Sequence, residues 1–84
     1  MTDTFERSAG RMDAVAYELD MARRHAQTAA ERFREEEPAQ AGAHAFAARG
    51  HLYQAIRLLD DAAIAFAQRS APEAAEAEPR DTAD

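Results

Sequence analysis

The chain contains no cysteine, no tryptophan and no lysine, and only three glycines and three prolines in 84 residues. The lack of cysteine excludes disulfides, thiolate nucleophiles, zinc ribbons and Cys-ligated clusters. The ten basic residues are all Arg and are outnumbered by 16 acids, for a net charge of −6. That balance argues against general nucleic-acid binding, because a phosphate lattice repels a surplus of carboxylates. The longest uncharged stretch, Pro38 to Ala48, is too short and too Ala-rich to span a bilayer. The opening MTDTFERSAG lacks the basic start and apolar core of a signal peptide. The expectation is a cytoplasmic protein with no membrane partner.

Hydrophobic residues make up 46% of the chain, yet 23 of them are Ala and only 16 are larger. Alanine has the best helix propensity, and β-branched residues are sparse, so the composition predicts an all-α fold with no strand. Most of the bulky aliphatic side chains, five of the seven Leu, Ile and Val, lie between Phe46 and Phe66. On a helical wheel Leu52, Ile56, Leu59, Ala63 and Phe66 form one broad stripe, widened by Phe46, Tyr53 and Ile64 on one flank and Leu58 on the other. Gln54, Arg57, Asp61 and Gln68 form the only clear polar strip. A helix with so narrow a wet face is central in a bundle or shared between subunits. Phe46, Leu52, Tyr53, Ile56, Leu58, Leu59, Ala63 and Phe66 are therefore the expected oligomer interface.

In chain order, Thr2, Asp3 and Glu6 favour a helix start at about residue 3. Phe5, Met12, Leu19, Ala26 and Phe33 then recur every seven positions, flanked by Ala9, Ala16 and Ala30 on one edge and Val15, Ala22 and Ala29 on the other. The stripe predicts one helix over about 3–36 that packs along its length on a partner, expected to be the matching stripe of the second helix within the hairpin. Asp3 with Arg7, Asp20 with Arg24, and Glu31 with Arg34 have the spacing of ion pairs on an exposed helix face. Arg23 interrupts the stripe at a seam position, and Tyr17 and Met21 form a small apolar patch on the opposite face, a possible second contact.

Glu35, Glu36 and Glu37 before Pro38 end this helix, and Pro38 suits the first turn of the next. So short a turn, about 36–38, makes the two helices antiparallel. The second is expected over 38–70, with a possible break at Gly50 that would divide it into 38–49 and 51–69. Residues 1–71 thus read as a helical hairpin, and 72–84, with five acids, one Arg and no large apolar side chain, as a disordered acidic tail.

Two resemblances bear on this layout. From Ala43 to Ala63 the order Ala43, Phe46, Gly50, Ala55, Leu59, Ala62 resembles a single tetratricopeptide repeat, which would imply two short helices crossing at small residues. No second copy lies 34 residues earlier, where the repeat period would place it. In length and hairpin plan the chain is also similar to the small secreted hairpins with a Trp-x-Gly turn, although it has no Trp and no Tyr in its tail.

Candidate chemistry is sparse. His44 and His51, two helical turns apart, are too distant to ligate one metal directly and lack the Glu-x-x-His pattern of di-metal bundles. His25 falls on the polar face of the first helix and is expected to be solvated. Asp60 and Asp61 diverge by about 100° on a helix and cannot share a proton. No Ser, His and acid are grouped as a triad, and no glycine loop could cradle a phosphate. The expectation is a non-enzymatic protein without a cofactor, an antiparallel hairpin that dimerises into a four-helix bundle or assembles further. It would act as a scaffold, adaptor or regulatory subunit whose partner is itself, with a further protein partner possible. The alternatives are a small acidic inhibitor, antitoxin or immunity-type protein that binds a basic partner, and a bundle that binds a metal or ligand through His44, His51 and carboxylates of the first helix.

Overall fold

The structure, a computed structural model, describes residues 2–82, with side chains from 3 to 68. It is all-helical: α1 (Thr2–Arg34) and α2 (Pro38–Thr82) pack against each other as a hairpin. Asp3 lies in the first turn of α1, where a carboxylate favours the positive end of the helix. The backbone of α2 passes Gly50 without a break and continues beyond the end expected near residue 70. An unbroken α2 removes the helix–turn–helix that a tetratricopeptide repeat would need there. A Cβ added at Gly50 would meet nothing within 4 Å, so no close contact demands a glycine. The backbone of 72–82, expected as part of a disordered acidic tail over 72–84, is helical and belongs to α2, while side chains from 69 onward and residues 83 and 84 lie outside the described residues.

The turn is built by backbone geometry. Glu37 N–H donates to the Arg32 carbonyl at 2.8 Å and Glu36 N–H to that of Phe33 at 3.0 Å, the paired bonds of a Schellman C-cap. The motif puts Glu36 in the left-handed region, φ 60°, a position usually held by Gly. Ala41 N–H then donates to the Glu37 carbonyl at 3.0 Å, which opens α2 with Pro38 in its first turn. Arg32 bridges the turn through Glu35 and reaches Glu37 at 4.0 Å. Replacing Glu36 with Gly relieves the left-handed strain at little cost to the turn, and is expected to raise stability by about 0.5–1 kcal/mol. A urea melt followed by circular dichroism tests this; an unchanged or lower midpoint would show that Glu36 is not strained.

The buried contact between the helices consists of small side chains. Val15, Ala22 and Ala29 of α1 meet Ala41, Ala48 and Ala55 of α2, each set at seven-residue spacing, with Ala41 fully buried and Ala55 2% exposed. Alanines at a helix–helix contact let the axes approach closely, since side-chain size at the contact sets that distance. This corrects the packing inferred from the sequence. The bulky line Phe5, Met12, Leu19 and Phe33 does not face α2; it is exposed. Val15, Ala22 and Ala29 lie about 40° round the helix from that line, and it is this edge that turns inward.

Candidate functional site

The alanine seam separates two different faces. On one side, α1 presents Phe5, Met12, Leu19 and Phe33, and α2 presents Leu52, Ile56, Leu59 and Phe66, all exposed. Met12 and Phe66 line one shallow cleft with Ser8, Arg11 and Ala62, so the two apolar lines lie on the same side of the hairpin. Phe46, 78% exposed, and Tyr53 extend the apolar surface of α2 round to the flank farthest from α1. Ala63 lies within this surface one heptad after Ile56. Leu58 differs from the rest of the expected interface: half-buried and seven residues after His51, it sits on the other side of the seam. Tyr17 is exposed and Met21 half-buried.

The other side is polar. Arg11, Glu18, His25 and Arg32 recur every seven residues along α1, each half-buried, opposite His44 and His51 of α2. His25 corrects the expectation of a solvated residue. Its Nδ1 lies 3.0 Å from Nδ1 of His44, and its ring stacks between those of His44 and His51, with centroids 5.3 and 5.4 Å away. His51 Nδ1 is 2.7 Å from Glu18 Oε1, and these two side chains are 29% and 21% exposed. Reading each helix separately hides this cluster. A turn centred on Glu36 places residue i opposite about 72 − i, so 72 − 25 = 47, midway between His44 and His51. The turn position was the signal that could have located it.

Among the described residues no group of three or more His, Cys, Asp or Glu is arranged to hold a metal ion, and no helix is long and apolar enough to cross a membrane. Arg23, expected at a seam, is exposed and held on its own helix by Asp20 at 2.8 Å and Gln27 at 3.0 Å. Asp20 also takes Arg24 at 3.0 Å. The hydrogen bond from Arg23, supported by the charges of both arginines, holds the Asp20 carboxyl below its ordinary value. No family model, curated protein or solved structure matches the chain.

Proposed function

We propose that the protein is a non-enzymatic interaction module whose apolar face is covered by a second copy of the hairpin, giving a four-helix bundle that acts as a scaffold, adaptor or regulatory subunit. The observation that carries this reading is an inversion of the usual distribution: the buried residues described are Ala and one Val, while twelve large hydrophobic side chains are exposed. Scattered apolar side chains are ordinary on a protein surface, but a contiguous face of them marks an interaction site.

A second copy fits this face because both helices contribute to it along their length, so a two-fold axis can set the apolar line of each protomer against the same line of the other. Ile56 and Leu59, 55% and 43% exposed in the single hairpin, would become core residues. The Ala seam alone offers too little apolar bulk for a stable small domain, and burying the large side chains would add about 1.5–3 kcal/mol for each one fully covered.

Sedimentation equilibrium at micromolar concentration tests the proposal. The expected mass is at least twice that of the 9.2 kDa chain. A well-folded, heat-stable species of one chain mass would overturn it.

A further inference from the structure

The three histidines of the chain all lie in the cluster between the helices. With no cysteine present, the side chains that ordinarily change charge between about pH 5 and 8 are thus confined to one edge of one contact. We propose that His25 and His44 form a proton-sensitive latch between α1 and α2, closed while at least one of the two rings is neutral and opened when both are protonated.

The contact forms whenever at least one of the two rings is neutral, either with both neutral in complementary tautomers or with one carrying an extra proton. Two Nδ1 atoms 3.0 Å apart make a hydrogen bond only if one ring donates and the other offers its lone pair. Protonating both rings removes the acceptor and leaves two cations in contact. His51 behaves differently. Its Nδ1 faces the Glu18 carboxylate at 2.7 Å, a contact that keeps its donor on protonation and becomes an ion pair. Proton uptake at His51 therefore tightens its contact while setting a positive ring against His25, with centroids 5.4 Å apart.

The charged surroundings do not absorb the excess. From α1 this edge carries Glu18 and His25, with Arg11 and Arg32 one heptad beyond on either side. From α2 it carries His44 and His51, and the neighbours Ala47, Gly50 and Gln54 that border Glu18 and His51 are uncharged. One carboxylate would face as many as three imidazolium rings. Glu35 and Glu37 are engaged by Arg32 and bring no spare negative charge.

In the unfolded chain the rings take up protons independently, so the unfolded state binds more protons than the closed latch. Stability then falls once acid supplies the proton that charges both rings. Asp20 acts in a separate window. Because folding lowers its titration, its contribution is present above the ordinary carboxylate range and is lost only as pH falls through the lowered value. The latch lies within one chain and does not rest on the dimer.

Urea unfolding of the full chain at pH 7.5 and 5.5, for the wild type and His44→Gln, tests the latch. Sedimentation at both pH values would accompany it, so that a change in assembly is read separately. Both proteins keep the His51–Glu18 contact, which acid tightens, so the latch is read from the difference between them. On acidification the wild-type unfolding constant should rise about tenfold more than that of His44→Gln, as one differential proton over one pH unit requires. In the variant the amide can donate to neutral His25 or accept from its protonated form. Equal slopes in the two proteins overturn the proposal. If the variant does not fold, imidazole ¹⁵N shifts of the wild type decide. At least one neutral ring in the pair of His25 and His44 for as long as helicity persists supports the latch, and full protonation of both rings with helicity intact overturns it.

Discussion

Replacing Leu59 with Glu is expected to dissociate the proposed assembly and to remove much of its helicity. Leu59 is partly covered within one hairpin, at 43% exposure, and the second copy would cover the rest. A carboxylate there would have to give up its hydration with no cation opposite, at a cost of several kcal/mol. In a two-fold assembly the residue occurs twice, so a loss of roughly 4 kcal/mol or more in association, close to a thousandfold in Kd, is the expected scale. Sedimentation reads the dissociation, and far-ultraviolet circular dichroism the loss of helix. Gln68→Glu, at an exposed position of the polar strip, is the control and should change stability by no more than about 0.5 kcal/mol. If Leu59→Glu leaves both mass and helicity unchanged, the exposed apolar face is not an interface.

The second large effect is expected inside the hairpin, at Ala55→Leu. Ala55 is 2% exposed, and the opposing residues of the seam are Val15, Ala22 and Ala29. Adding three carbons where small side chains hold two helices together forces the axes apart or drives side chains off their rotamers. The cost is about 1–3 kcal/mol, which in a domain of this size lowers the melting temperature by roughly 5–20 °C. Ala43→Leu, at an exposed position of the same helix, should be close to neutral. The two substitutions add the same bulk, so the difference between their thermal melts isolates the closeness of the seam. Ala55→Leu should also pull the rings of His25 and His44 beyond bonding distance and flatten the acid response. A melt unchanged by Ala55→Leu would mean that the helices have slack between them.

Much of the architecture was legible residue by residue. Glu35, Glu36 and Glu37 before Pro38 marked a turn at the place where the chain reverses, and the Schellman bonds from Glu36 and Glu37 show why three residues suffice. The uninterrupted α2 was less legible, because Gly50 lowers helix propensity without forbidding a helix. Phe5, Met12, Leu19 and Phe33 were correctly read as one line but assigned to the wrong contact. Periodicity reports that a stripe will be covered and does not say by which helix. Bulk suggested that this line would fill the hairpin. Yet the inner contact is made by the adjacent Val15, Ala22 and Ala29, which allow a closer approach to α2.

The candidate sites divide in the same way. The apolar residues of α2 were identifiable from their spacing along one helix, which needs no knowledge of a second. His25 was not, since its surroundings come from another helix and depend on a register counted from the turn. By itself the sequence determined two long helices and the point of reversal between them, because propensity, heptad spacing and a proline after three acids act within a few residues. Only the tertiary structure decided which edge of each helix turned inward and that three histidines would meet, because those outcomes depend on how closely two surfaces can approach.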